Sequence, residues 1–84
     1  MHHIYIKRSA QKALARIEKS QRDRIIEKIR KLGEDPRPAR SKKLKGREAW
    51  RIRVGNYRVI YEIEDDKLIV LVVAIGHRGF IYRK

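Results

Sequence analysis

A two-residue turn at Gly55-Asn56 constrains the fold of this 84-residue chain more than any other feature. Both residues tolerate a positive φ, and the flanking stretch WRIRVGNYRVIYEI (50–63) alternates its side chains as the strands of a β-hairpin do. A turn of this length fixes the register of the two strands. The predicted pairs are Val54 with Tyr57, Arg53 with Arg58, Ile52 with Val59 and Arg51 with Ile60.

This register gives the hairpin an apolar face and a basic face, because side chains opposite one another share a face. The apolar face, which we expect to receive the helices, holds Trp50, Ile52, Val54, Tyr57, Val59 and Tyr61. The basic face holds Arg51, Arg53 and Arg58, with Arg53 directly across from Arg58. Like charges in that position are destabilising. A bound phosphate would relieve them, because it can bridge the guanidinium groups.

The first strand is predicted over 3–8. Apolar residues with helical periodicity follow it, up to residue 33. We expect Ser9 to cap one helix, and Ser20 with Asp23 resembles a capping box that opens a second. Apolar residues recur at helical spacing in both segments: Ala10, Ala13, Leu14 and Ile17, then Ile25, Ile26, Ile29 and Leu32. The sequence therefore predicts a hairpin of two antiparallel helices.

The remaining strands are predicted over 50–54, 57–63, 67–75 and 80–83, so the element order is β-α-α-β-β-β-β. Short strands joined by tight turns favour an antiparallel sheet, with the helical hairpin packed on one face. The chain is too short to divide into two cores. We expect an α+β fold in a single domain over residues 1–84.

Residues 33–49 form a long connection without apolar periodicity, and only Leu44 is expected to anchor it. A connection of this length in a small domain is usually functional or mobile. Its six basic residues are predicted to contact RNA or a ribosome: Arg37, Arg40, Lys42, Lys43, Lys45 and Arg47. We expect His77 to join them as a hydrogen-bonding side chain rather than as an acid or base.

The charge of the chain indicates a polyanionic partner. Lys and Arg number 23 against 10 Asp and Glu, a formal net charge of +13, and such an excess costs self-repulsion unless a polyanion is near. Nucleic acid is the first expectation. A membrane is disfavoured as a partner, because neither predicted helix carries bulky Trp or Phe on its apolar face.

The sequence has no cysteines and no residues at the spacing of metal ligands, so we expect no metal. It shows no signal peptide and no apolar run long enough to span a membrane, so we expect a cytoplasmic protein.

The strand after the Asp65-Asp66 turn is expected to complete the basic face. The residues predicted on that face are Ile69, Leu71, Val73 and Ile75, with Val73 beside Arg58. Arg78 then leaves the sheet near the arginines, and the last strand returns Tyr82 to them. Alternating arginines alone are more often a solvated face, but the opposed pair, the net charge and Arg78 together favour an anion site.

In the order and spacing of its parts, the chain resembles the RelE/ParE toxin superfamily, and within it the RelE-type messenger RNA interferases. These parts are KLKG (43–46), the hairpin at 50–63 and VVAIGHRGFIYR (72–83). The resemblance implies a toxin that enters the A site of the 70S ribosome and cleaves messenger RNA without a metal or other cofactor. A 2′-hydroxyl attacks the adjacent phosphate, leaving a 2′,3′-cyclic phosphate and a 5′-hydroxyl. A cognate RelB-like antitoxin is also implied.

The resemblance implies a catalytic set of five residues. Arg51 and Arg53 match two basic strand residues, one of them proposed as a general base, and Arg58 matches the arginine that clamps the scissile phosphate. Arg78 matches an arginine that protonates the leaving oxygen or stabilises the transition state. Tyr82 matches a tyrosine that stacks on a base. The best-known member has lysines in place of Arg51 and Arg53.

Arginine stays protonated in proteins, so electrostatic stabilisation is expected at these positions in place of base catalysis, together with strong dependence on the ribosome. Two alternatives remain. A ParE-like toxin would bind and poison DNA gyrase without cutting RNA, and the same fold serves both activities. A non-toxic RNA-binding module is the other alternative, which growth arrest on expression would exclude.

Overall fold

The computed structural model describes residues 1–46 and 48–77, which form two α-helices and five strands. The strands are β1 (His3–Ile6), β2 (Lys42–Lys43), β3 (Trp50–Val54), β4 (Tyr57–Glu64) and β5 (Ile69–His77). The helices are α1 (Arg8–Ala15) and α2 (Lys19–Leu32), and a 3₁₀ turn at Asp65–Lys67 joins β4 to β5. The predicted α+β class with an N-terminal helical hairpin is confirmed.

The strands form one sheet in the order β1-β5-β4-β3-β2. β1 runs parallel to β5 and the other neighbours are antiparallel, so the sheet is mixed where the sequence indicated an antiparallel one. The physical reason is that helices rather than a tight turn follow β1, and a long connection permits a parallel partner. The strand predicted over 80–83 lies outside the described residues.

The β3–β4 hairpin has the predicted register throughout. Gly55 adopts a φ of 60° in the turn, a conformation that costs glycine little and other residues more. A Cβ added there would lie 3.3 Å from Oε1 of Gln21 at the start of α2. The turn therefore favours glycine for its backbone conformation, and the side chain of Gln21 would have to shift by a few tenths of an ångström to admit a Cβ.

A β-bulge in β5 changes the expected surroundings of the arginines. The register between β4 and β5 skips Val73, and Arg58 lies beside Gly76. One extra residue exchanges the two faces of the strand beyond it. Ile75 is therefore buried in the core, at 6% exposure. The predicted positions of Val73 beside Arg58 and of Ile75 on the basic face were wrong.

The helical hairpin covers the apolar face of the sheet. Its buried side chains are Ala10, Leu14, Ile17, Ile25, Ile29 and Leu32. They belong to one core cluster with Ile52, Val54, Val59 and Tyr61 of the β3–β4 hairpin, as predicted. Ile26 was expected in the same helical stripe but is 44% exposed. Among the described residues, neither helix is long and apolar enough to cross a membrane.

Each helix starts two residues before the predicted position. Lys7 and Glu18 occupy the N-cap positions, whereas Ser9 and Ser20 lie inside the helices. The hydroxyl of Ser20 donates to Oε1 of Glu18 at 2.7 Å. Both helices thus begin without the serine caps that the sequence suggested, and burial of their apolar faces supplies most of their stability.

Candidate functional site

Four basic side chains lie in two neighbouring rows on the face of the sheet opposite the helices. Lys42 of β2 pairs with Arg51 of β3, and two residues further along β3 Arg53 pairs with Arg58 of β4. Arg53 is exposed, and Arg51 and Arg58 are half-buried. The predicted placement of three arginines on one face is confirmed. The structure adds Lys42, which the sequence had assigned only to a loop.

A cavity of about 450 Å³ opens beside these rows. It is lined by Arg40, Lys42, Arg51, Arg53 and Gly55. The described residues that line it carry four positive charges and no carboxylate. Guanidinium groups donate paired hydrogen bonds to phosphate or carboxylate oxygens, and a lysine adds a compact positive charge. The arrangement can therefore hold an anion, which would offset the repulsion between the like charges in each row.

The loop between α2 and β2 (33–41), which leads to the cavity, is anchored by a buried tyrosine. Tyr61 is fully buried, and its hydroxyl donates to the backbone carbonyl of Pro36 at 2.7 Å. Burial raises the pKa of Tyr61 to about 12, so the phenol keeps its proton at neutral pH and remains a donor. The expectation that only Leu44 anchors this connection was wrong. Tyr61, which lies 25 positions after Pro36 in the chain, also anchors it.

A tight turn before β2 then directs Arg40 and Lys42 toward β3. The backbone N–H and the hydroxyl of Ser41 both donate to the carbonyl of Pro38, at 2.9 and 2.7 Å. Lys42 follows immediately and joins the sheet as the first residue of β2. This turn explains how Arg40 and Lys42 come to line the same cavity as the strand arginines.

A second anchor joins the loop to the β4–β5 turn through Asp65. Its two carboxylate oxygens lie 3.0 Å from Nε2 of His2 and 2.9 Å from a guanidinium nitrogen of Arg37. The guanidinium of Arg37 also lies over the ring of Trp50, 5.3 Å from the centroid, within the range of a cation–π contact. Arg37 thus anchors the loop through its contacts with Asp65 and Trp50, on the side of the sheet away from the cavity.

Asp65→Asn should loosen this anchor and reduce the dependence of stability on pH. Arg37 first, and His2 second, hold the pKa of Asp65 below its ordinary value of 3.8. The stabilisation is therefore complete above that ordinary value and is lost as the pH falls through the lower pKa of the folded state. We expect the urea midpoint of the variant to be lower near neutral pH and to converge with that of the unchanged protein in acid.

The matched control is Asp66→Asn in the same turn, which removes the same charge one residue away. Urea titrations at several pH values would compare the two variants. Equal midpoints for the unchanged protein and Asp65→Asn at neutral pH would contradict the anchoring role of Asp65.

Of the other predicted contact residues that the structure describes, Lys43, Lys45 and His77 do not line the cavity. Lys43 pairs with Trp50, so it lies on the opposite face, and its ammonium is 3.6 Å from a carboxylate oxygen of Glu48. His77 pairs with Tyr57, and their rings meet edge to face with centroids 5.5 Å apart. Lys45 lies in the turn between β2 and β3. Arg47, Arg78 and Tyr82 lie outside the described residues, and their roles stay predictions.

The residues that anchor the loop, among them Pro36, Tyr61 and Asp65, were missed by sequence reasoning as contributors to the site. Their contacts join positions far apart in the chain, and a local pattern carries no signal for such pairs.

Among residues 1–46 and 48–77, no three His, Cys, Asp or Glu side chains gather in a way that could hold a metal ion.

Comparison with known proteins gives one family and a consistent set of structures. The sequence model described as the ParE toxin of the type II toxin–antitoxin system parDE matches residues 4–82. Among solved structures, a chain of the RelE–RelB complex from Pyrococcus horikoshii OT3 superposes with a TM-score of 0.84 at 27% identity, covering 94% of this chain and 97% of that one.

Two further structures are similar. A chain of the intact RelBE toxin–antitoxin complex from E. coli has a TM-score of 0.80 at 25% identity, with 94% and 99% of the two chains covered. A chain of the RelB–RelE complex from Methanococcus jannaschii has a TM-score of 0.68 at 28% identity, with 88% and 89% covered. A search of curated protein sequences gave no match.

Proposed function

Because this chain belongs to the ParE toxin family of type II toxin–antitoxin systems, we propose that it acts as a ribosome-dependent endoribonuclease that cleaves messenger RNA in the A site. The observation that carries the proposal is the basic face, where Arg53 and Arg58 lie directly across from each other beside a cavity lined by further cations. Similar chains in solved structures come from RelE–RelB complexes at 25–28% identity. These support the RelE-type activity over other activities of the fold.

In the proposed reaction, the scissile phosphate binds between Arg53 and Arg58. The 2′-hydroxyl of the preceding nucleotide attacks the phosphorus, and the bond to the 5′-oxygen of the next nucleotide breaks. The products are a 2′,3′-cyclic phosphate and a 5′-hydroxyl, with the proton of the 2′-hydroxyl balancing the one that the leaving oxygen gains. Positive charges placed before the reaction stabilise the charge that develops on the phosphoryl oxygens.

The residues divide the work according to their chemistry. Arginine remains protonated, so Arg51, Arg53 and Arg58 neutralise negative charge on the RNA backbone rather than remove a proton, and Arg53 and Arg58 contact the scissile phosphate. Alignment of the attacking hydroxyl is then left to the ribosome, which holds the RNA in a reactive geometry. Arg78 as the partner of the leaving oxygen and Tyr82 as a stacking platform complete the proposal. This division predicts little activity on free RNA.

The test is cleavage of a defined messenger RNA on programmed 70S ribosomes, with the ends mapped by primer extension. We expect cuts inside the A-site codon, and intact RNA when the ribosomes are left out. Arg78→Ala, run alongside, should abolish the cuts. Intact RNA on ribosomes, or equal cutting of free RNA, would overturn the proposal.

A second candidate function is supported by the family itself, since the matching model is that of ParE toxins. A toxin of this kind would act by binding DNA gyrase, and the basic face would be a binding surface. Two measurements distinguish the candidates. Stabilised gyrase cleavage complexes together with intact messenger RNA would favour the second candidate.

We also propose that a RelB-like antitoxin binds and neutralises the protein. The similar structures in which RelE is found with RelB support this partner. A net charge of +13 favours an acidic antitoxin segment and fast association at low salt. Co-expression of the antitoxin should relieve growth arrest.

A further inference from the structure

The two rows of the basic face have a spacing that bears on the ligand. Arg51 and Arg53 are two residues apart on β3, so the Lys42–Arg51 row and the Arg53–Arg58 row are separated by about 6.5 Å, the rise of two residues in an extended strand. Within each row the Cβ atoms of paired residues are about 5 Å apart. Each row can therefore surround one phosphate group, and the two phosphates would be neighbours.

Neighbouring phosphates of one nucleic-acid strand are about 3.4 Å apart along the axis of a duplex. Their direct separation is greater, because the backbone winds around that axis. It is greater still in an unstacked single strand. The separation of the two rows is thus suited to two successive phosphates of a single strand.

The rows also differ in what lies at their ends. In the Lys42–Arg51 row the next residue, on β4, is Ile60, which is 1% exposed. In the Arg53–Arg58 row the next residue, on β5, is Gly76, which has no side chain to close the row. The loop cation Arg40 lines the cavity on the β2 side. A strand that enters over Lys42 would therefore continue toward Arg58.

From this geometry we infer that the basic face binds a dinucleotide step of single-stranded RNA at two adjacent phosphate subsites, with Lys42 and Arg51 holding the phosphate next to the one between Arg53 and Arg58. Lys42 is then a positioning residue, because it fixes the neighbouring phosphate and leaves the reacting one to Arg53 and Arg58. This inference deepens the proposed ribonuclease function and rests on it for the identity of the strand as messenger RNA.

The test uses three 2′-O-methyl RNA trinucleotides, which lack the attacking hydroxyl and cannot be cleaved. One probe carries two phosphodiester linkages, and each of the other two carries one phosphodiester and one neutral methylphosphonate linkage. Binding is followed by NMR titration at low salt. Lys42→Ala is compared with Lys28→Ala, which removes the same charge from an exposed position of α2, and with Lys42→Arg, which keeps the charge.

We expect Lys42→Ala to weaken binding of the two-phosphate probe about three- to tenfold and to reduce the slope of log K against log salt by about 0.7, the loss of one phosphate contact. Each one-phosphate probe can shift until its charge lies between Arg53 and Arg58, so the same substitution should change its affinity less than twofold. Lys42→Arg should restore the affinity, and Lys28→Ala should leave all three probes unchanged.

Equal weakening of all three probes by Lys42→Ala would show diffuse attraction and would overturn the two subsites. So would an equal effect of Lys28→Ala, or no measurable binding of the two-phosphate probe. The titrations contain no ribosome and no cleavable RNA. Intact RNA in the primer-extension assay would therefore reject the proposed function while the two-phosphate site stands, and the reverse combination would reject only the second subsite.

Discussion

Arg58→Ala is expected to lower the rate of A-site cleavage by about 10²–10³-fold, the usual cost of removing one preorganised group that stabilises transition-state charge. Arg58 is half-buried and lies between Arg53 on β3 and Gly76 on β5. Gly76 has no side chain that could take over the contact of Arg58 with the phosphate. Single-turnover cleavage on programmed ribosomes would give the rate of the chemical step.

Two variants separate this effect from general loss of charge. Arg16→Ala removes one positive charge at the end of α1, where the side chain is exposed, and should leave the rate within about twofold. Arg58→Lys keeps the charge but loses the paired hydrogen bonds of guanidinium, so an intermediate rate is expected. Thermal unfolding of all three variants verifies that the sheet is intact. If Arg58→Ala cleaves at the unchanged rate, the phosphate does not bind in this row.

Ile25→Ala is expected to reduce the free energy of unfolding by about 2–5 kcal/mol, the range for removing a large aliphatic side chain from a core. Ile25 has 0% exposure on the inner side of α2 and belongs to the cluster that joins the helices to the sheet. Domains of this kind have a total stability of about 5–15 kcal/mol. The variant should therefore be marginal, and urea unfolding followed by circular dichroism would measure the loss.

The next residue along the helix provides a matched control. Ile26 is 44% exposed, so Ile26→Ala deletes the same atoms with less loss of burial and gains the higher helix propensity of alanine. We expect its effect to stay below about 1 kcal/mol. Equal losses at the two positions would contradict the orientation of α2 on the sheet.

The register of the β3–β4 hairpin could be predicted from the sequence alone. The Gly55-Asn56 turn and the period of two were enough to predict the register from Val54–Tyr57 to Arg51–Ile60, which the structure confirms. A tight turn leaves the two strands one practical pairing, and burial of one face excludes a slip by one residue. The apolar stripe of α2 was predicted from helical spacing, which is also a short-range pattern, and Ile26 is the exception.

The neighbouring strand shows where local pattern fails. Nothing in the sequence of residues 68–75 revealed that Val73 would be skipped, because every residue of LIVLVVAI is apolar and either face could be buried. The bulge lies in a strand that is paired on both sides, with β4 and with β1. Its consequence for the site is direct, since it places Gly76 rather than Val73 beside Arg58.

The sequence by itself determined the α+β class, the helical hairpin, the hairpin register and the basic face of Arg51, Arg53 and Arg58, because short-range spacing and charge control these features. Tertiary structure alone decided that Lys42 joins that face while Lys43 and His77 lie on the other. It also placed the loop through contacts between distant residues, Tyr61 with Pro36 and Asp65 with Arg37. Such contacts form only after the sheet brings their partners together, so their energies leave no trace in local sequence pattern.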